Sequence, residues 1–271
     1  YPAPPALAAW AQAREWRSFT DGSPTAWRFA DNGRATLGQE GRQAPLVLLP
    51  GALGDASSAW RLAGAYDAQP RVIAVTCPGG CDAIALPDGL ATLLHALGTG
   101  ACAVWGSSYG AWWAQAFALR HPELVDRLWL GNTFVDGGDV AASPLFDARW
   151  LAQASAREVH ERWHQALSAR PDDELRAVQL YLLHHTMAPL QLHGRLRQVA
   201  NAPALEPAAV PRTVVCDCAD DPTIGPEVRA RVLKRYPAAR HLRLASGGHY
   251  PHIVAAEPLI QAMRAWLSPE G

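Results

Sequence analysis

Lysine is almost absent from this 271-residue chain: Lys234 is the only one, and arginine carries nearly all the positive charge. Acidic and basic residues balance to a formal charge of −1, so no basic footprint for nucleic acid or an acidic membrane is evident. No apolar run reaches the roughly eighteen residues of a membrane span, so none is expected. The opening stretch from Tyr1 to Trp10 lacks a basic n-region and does not read as a signal peptide. Because it begins with tyrosine, a leader already removed stays open. Paired Cys-x-x-Cys spacing and histidine ligand spacing are also missing, which argues against a structural metal. The five cysteines (Cys77, Cys81, Cys102, Cys216 and Cys218) are odd in number, and Cys102 and Cys216 sit in apolar runs. Free, buried thiols and a reducing, cytoplasmic location are the expectation. The richness in arginine, alanine and proline fits a GC-rich bacterial genome.

What is present is a large apolar fraction, 49% of residues, enough for a substantial core. Short apolar runs at Leu46–Leu49, Val72–Thr76, Ala101–Trp105, Arg127–Leu130, Thr213–Asp217 and His241–Ala245 read as parallel strands buried on both faces. Helical periodicity separates them, as in Leu90–Leu97 and Ala111–Arg120, so a doubly wound α/β sheet is expected. Glu15–Phe19 and Ala26–Ala30 can add two antiparallel edge strands. After Leu130 the rhythm breaks, and helices are expected at Ser155–Leu167 and Asp172–Leu183. The expected organisation is therefore a first core part over 1–133, a helical lid insertion over 134–205 and a second core part over 206–271.

The strongest chemical signal is Trp105-Gly106-Ser107-Ser108-Tyr109-Gly110, a G-x-S-x-G motif between a strand and a helix. Such a nucleophile elbow holds its serine in strained backbone geometry, and glycines two before and two after it let strand and helix approach. Only Ser108 has both, so it and not Ser107 is the expected nucleophile. A base and an orienting acid should follow in the order acid, histidine. Ala219-Asp220-Asp221-Pro222 follows one late strand, and Ser246-Gly247-Gly248-His249 follows the next. His249 is the expected base and Asp221 the preferred acid over Asp220. Asp136 and Asp139, after the strand ending at Leu130, form an alternative acid site. For the oxyanion hole the expected donors are the N–H groups of Tyr109 and of Ala52, the latter in the loop Leu49-Pro50-Gly51-Ala52-Leu53-Gly54.

Other residues have blander expectations. His184, His185 and His193 read as solvated or pocket-wall side chains, and His252 as structural. Of Trp112 and Trp113, one should pack in the core and the other can reach the pocket floor. Asp172, Asp173 and Glu174 could grip a free amine but fit better as partners of a helix dipole.

On the segments Leu48-Leu49-Pro50-Gly51, Gly106-Ser107-Ser108-Tyr109-Gly110, Asp221-Pro222 and Gly248-His249-Tyr250-Pro251, the chain resembles the α/β-hydrolase superfamily along essentially its whole length. It further resembles the maspardin-like branch, through Pro50 where histidine is usual, Leu130-Gly131-Asn132-Thr133-Phe134-Val135-Asp136 and the stretch from Leu233 to Arg240. The narrower resemblance implies that some relatives act as binding proteins.

The expected activity is hydrolysis of an ester or thioester of a small-to-medium apolar substrate by a Ser-His-Asp triad, needing no metal or organic cofactor. A carbon–carbon bond hydrolase or acyltransferase on the same triad, a peptidase of the proline-iminopeptidase type and a non-catalytic binding protein are the alternatives. Partners are expected to be the small-molecule substrate, with no nucleic acid and no membrane span, and a homodimer is left open. Leucine, tryptophan and Met187 in the insertion point to an apolar acyl group.

Overall fold

The computed structural model describes residues 1–20, 26–34, 43–78 and 84–268. Among the described residues eight strands form one sheet: β1 (Trp16–Thr20), β2 (Ala26–Asp31), β3 (Leu46–Leu49), β4 (Val72–Thr76), β5 (Cys102–Ser107), β6 (Val125–Gly131), β7 (Val214–Cys218) and β8 (Arg240–Leu244). Their order is β1-β2-β4-β3-β5-β6-β7-β8. The first two strands run antiparallel at one edge, and from β4 to β8 every pairing is parallel.

The helices are α1 (Pro5–Gln12), α2 (Trp60–Ala65), α3 (Leu86–Ala96), α4 (Tyr109–Arg120), α5 (Ala148–Gln153), α6 (Ala156–Ser168), α7 (Glu174–His185), α8 (Pro189–Ala200), α9 (Pro226–Arg235), α10 (Pro251–Val254) and α11 (Ala256–Leu267). Alternate residues of a strand face opposite sides of the sheet. Accordingly Val47, Leu49, Ile73 and Val104 join one apolar cluster with α3 and α4. Leu46, Leu48, Ala74 and Trp105 join the other, with α1, α2 and α11. The continuous apolar runs of β3, β4 and β5 are thus explained by helices on both faces.

Between β6 and β7 the chain forms α5 to α8. Ser155 caps α6, accepting from the Glu158 N–H while the Glu158 carboxylate accepts from the Ser155 N–H at 2.7 Å, a capping box. Asp173 caps α7, its carboxylate accepting from the Arg176 N–H at 2.8 Å. Among the described residues no helix is long and apolar enough to cross a membrane.

One expectation fails: β8 is not buried on both faces. Arg240, His241 and Arg243 are exposed, because β8 is the sheet's last strand and pairs only with β7. Charges along such an edge discourage further strand pairing. His241 and Arg243 both reach the buried Asp217 of β7, at 2.7 and 2.6 Å.

Cys102, Cys216 and Cys218 are free, buried thiols. Burial pushes the Cys102 and Cys218 thiols up to about 11 and raises Cys216 as well, which leaves them unreactive. Cys81 lies outside the described residues.

Leu48, fully buried in the centre of β3, tests this packing. Leu48→Ala should cost about 2–5 kcal/mol in urea unfolding, and a loss under about 1 kcal/mol would contradict a close-packed site there.

Candidate active site

The carboxyl ends of β3, β5, β6, β7 and β8 open on one side of the sheet, and the loops that follow them build the site. Ser108 follows β5 with φ 55° and ψ −120°, the strained conformation anticipated from the motif. The flanking glycines explain how it is held. A Cβ on Gly110 would stand 2.2 Å from the Leu49 carbonyl oxygen, and one on Gly106 would stand 2.4 Å from the Gly110 carbonyl oxygen. The start of α4 therefore presses against the ends of β3 and β5, with Ser108 at the contact. The Ser108 N–H donates to the Gly131 carbonyl at 2.8 Å, and the Thr133 hydroxyl donates to the Ser108 carbonyl at 3.0 Å.

His249 reaches this serine across 141 residues of sequence: its Nε2 lies 2.9 Å from Ser108 Oγ. The preceding diglycine makes the loop possible, since Gly247 and Gly248 have φ 138° and 54°. Asp220 accepts from the Gly248 N–H at 2.9 Å and from the Gly247 N–H at 3.3 Å, so it braces the loop. Asp221 faces the imidazole, its Oδ2 lying 2.9 Å from His249 Nδ1.

Asp221 is buried and well solvated by protein donors. It accepts from the Thr223 and Ile224 N–H groups at 2.8 and 3.0 Å and from Asn132 Nδ2 at 2.9 Å. Burial pushes its carboxyl up, but the His249 and Asn132 hydrogen bonds, the His249 charge and the Ile224 N–H outweigh it. The net result lies below the ordinary aspartate value, so Asp221 stays ionised at neutral pH. Asp136 and Asp139 are engaged elsewhere, both paired with Arg231, and Asp139 also accepts from the Val135 N–H.

Ser108 and His249 open on a cavity of about 470 Å³. Gly51 and Ala52 line it, and a Cβ on Gly51 would stand 3.4 Å from Ser108 Cβ. The β6–β7 insertion supplies apolar lining through Leu145, Phe146, Trp163, Leu167 and Leu182. Met187, expected among them, is instead packed in the core. Neither tryptophan of α4 reaches this cavity. Trp113 stacks on Trp27, and Trp112 donates its indole N–H to the Pro203 carbonyl at 3.0 Å beside a separate groove.

Two residues of this site carried no functional expectation. Asn132, at φ 46° just beyond β6, ties Asp221 to the Gly248 carbonyl, donating to the latter at 3.1 Å. Its signal was only its place at a strand's carboxyl end. Arg195 of α8 is 2% exposed, and its guanidinium donates to the carbonyls of Gly54 at 2.7 Å, Cys77 at 2.6 Å and Ala52 at 3.3 Å. It fastens the insertion to the loop that carries Ala52. In the amphipathic stretch Pro189–Ala200 it looks like any helical arginine.

His184 and His185 lie away from the cavity. His184 meets His164 at 3.0 Å and packs against His160, while His185 stacks on Tyr181. His193 donates to the Leu151 carbonyl at 2.7 Å. Among the described residues no cluster of His, Cys, Asp or Glu could hold a metal ion. Of the acidic run, Asp173 caps α7, Asp172 pairs with Arg176 and Glu174 with Arg61, and none lines the cavity.

A sequence model of the alpha/beta hydrolase family matches residues 46–262, which span the elbow and the loops of Asp221 and His249. The chain belongs to that family. Among curated relatives of this alpha/beta hydrolase, maspardin from Homo sapiens is 26% identical over 240 residues, covering 84% of this chain and 74% of maspardin. The putative carbamate hydrolase RutD of Pantoea ananatis (strain LMG 20103) is 26% identical over 266 residues, covering 85% of this chain and 91% of that protein. In fold it is similar to a thermophilic esterase from Thermogutta terrifontis, with a TM-score of 0.69 at 21% identity over 93% of this chain and 98% of that one.

The site also generates an acid-stability prediction through His252, which is buried against Trp105 with its Nδ1 unpartnered. Burial, aided by the charge of His249, lowers His252 from 6.5 to about 3. The folded protein then excludes a proton that the unfolded chain binds below pH 6.5, so this contribution is complete above that pH and shrinks on acidification. Between about pH 6.5 and 4.5, His252 should lower stability by up to about 1.4 kcal/mol per pH unit. Urea unfolding of His252→Gln should show a shallower slope in that window, and an unchanged slope would contradict the buried neutral imidazole.

Proposed function

We propose that this alpha/beta hydrolase is a serine hydrolase that cleaves an ester or thioester of a small-to-medium, largely apolar substrate. The observation that carries the reading is the continuous line from Ser108 Oγ through the His249 ring to the Asp221 carboxylate, with contacts of 2.9 Å on each side of the ring. That line opens on a cavity with apolar walls, of a size suited to a small organic ligand.

In this reading His249 Nε2 takes the Ser108 proton as Oγ attacks the carbonyl carbon. Asp221 fixes the tautomer with Nδ1–H and stabilises the imidazolium that forms. The N–H groups of Tyr109, at the start of α4, and of Ala52 receive the developing oxyanion, aided by the helix dipole. His249 returns the proton to the departing alcohol or thiol, leaving an acyl-Ser108 ester. Water, deprotonated by His249, attacks that ester, and Ser108 Oγ leaves with the proton as the acid is released. Asp220 and Asn132 serve as braces for the His249 and Asp221 loops.

We further read residues 134–205 as a lid inserted between the core parts 1–133 and 206–271. The insertion's lining of the cavity and the Arg195 contacts to the loop of Ala52 support this reading.

Turnover of p-nitrophenyl acetate and butyrate tests the reading. Ser108→Ala should lose on the order of 10⁶ in kcat. Asp221→Asn should lose on the order of 10⁴, because the wrong tautomer is then stabilised, while Asp136→Asn should stay within about threefold, as a change in a surface pair does. A folded wild type with no turnover of either ester would overturn the esterase reading and favour a binding role. A large loss in Asp136→Asn with little in Asp221→Asn would overturn the acid assignment.

A further inference from the structure

One guanidinium lines the cavity with no carboxylate partner among the described residues. Arg170, in the turn between α6 and α7, is half-buried and lines the same cavity as Ser108 and His249. Its Nη1 donates to Gln179 Oε1 at 2.8 Å. No carboxylate among the described residues pairs with it, whereas Arg61 and Arg176 each have one and Arg231 has two. Asp139 also lines the cavity, and it shares Arg231 with Asp136. His252 is neutral there, as argued above. Arg170 is therefore the one guanidinium or ammonium group among the described residues lining the cavity.

Gln179 provides a second, independent sign. It is 1% exposed and lines the cavity, and its Nε2 is buried without a hydrogen-bond partner. Oε1 already accepts from Arg170, the unmet group is the Nε2 donor, and a buried donor left unmet is costly. Both groups lie near Tyr250, the neighbour of His249: burial raises the Tyr250 phenol, and the Arg170 charge and the Gln179 amide oppose that rise. The Gln179 amide is thus within reach of the Tyr250 hydroxyl, which can take at most one of its two N–H groups. A guanidinium with N–H groups to spare beside an unmet amide donor is a receptor for an oxyanion. One cation matches the single charge of a carboxylate, while a phosphate dianion would leave a charge uncompensated.

We propose that Arg170 and Gln179 form an anion subsite, and that the substrate is an ester or thioester whose acyl chain carries a carboxylate at its far end. This rests on the serine-hydrolase reading and refines it: the acyl chain is apolar along its length and anionic at its terminus. The acyl chain is the portion that stays in the cavity through both half-reactions, so a grip on its end acts throughout.

The test compares p-nitrophenyl hemiglutarate with p-nitrophenyl valerate, two esters of equal acyl length that differ by a terminal carboxylate. With spontaneous hydrolysis subtracted, kcat/KM of the wild type should favour hemiglutarate at least tenfold. Arg170→Gln should bring the ratio close to one, and Arg170→Lys should retain part of it. Thermal melting checks that both variants fold, and if Arg170→Gln does not, Arg170→Lys carries the comparison. Valerate turnover with a wild-type ratio at or below one, or a ratio unchanged in both variants, would overturn the subsite. Inhibition by inorganic phosphate stronger than by free glutarate would overturn the carboxylate assignment. Should neither ester turn over in the folded wild type, the hydrolase reading fails, and equilibrium binding of glutarate then decides the subsite alone. Binding weakened at least tenfold in Arg170→Gln supports it, and equal or absent binding overturns it.

Discussion

The first turn of α4 meets the ends of β3 and β5 at distances that admit no side chain. Gly110 lies under the Leu49 and Pro50 carbonyls, and Gly106 lies against the backbone of Gly110 and Ala111. This contact makes the turn between strand and helix so tight that Ser108 must adopt a positive φ. Everything chemical in the molecule is arranged about that point. The helix starts at Tyr109, directing its positive end at the region where charge would develop, and β3 ends beside it with the loop of Gly51 and Ala52. The cost of the strained serine is offset by two well-packed apolar layers, one on each face of the sheet.

Long-range polar contacts then fix the loops that the sheet merely brings close. Asp220 and Asp221 are adjacent in sequence yet divide two tasks, one bracing the diglycine and the other receiving the imidazole. Asn132 joins the loops after β6, β7 and β8 by donating to both Asp221 and the Gly248 carbonyl. Arg195 does the corresponding work from the other side, as a buried cation whose partners among the described residues are three carbonyls and no carboxylate. Such a group is costly to bury, and its hydrogen bonds to the loop of Ala52 are what hold it there. The insertion and the loop of Ala52 therefore form one polar unit, and the apolar walls of the cavity are set by the same helices.

The sequence was most informative where chemistry is local. Gly106 to Gly110 sit in one turn, and Gly247 to His249 in another, so their residue types alone announce the backbone they require. Strand runs buried on both faces were equally legible, because continuous apolar character needs helices above and below. The choice among Asp220, Asp221 and Asp136 was not local: it depends on where three loops meet and on Arg231 claiming Asp136. Asn132, Arg170 and Arg195 were invisible for the same reason, each acting on residues far away in the chain. The exposure of β8 was misjudged because its leucines suggested burial, while its position at the sheet edge is a property of topology. One of Trp112 and Trp113 was expected at the pocket floor, but Trp113 stacks on Trp27 and Trp112 turns to a separate groove.

The central claim is that the elbow presents Ser108, and not the adjacent Ser107, as an activated nucleophile. The most direct measurement is intact-mass analysis and peptide mapping of the folded protein after treatment with a fluorophosphonate. One adduct per chain is expected, mapped to Ser108. An adduct on Ser107, or none on protein shown to be folded, would contradict it.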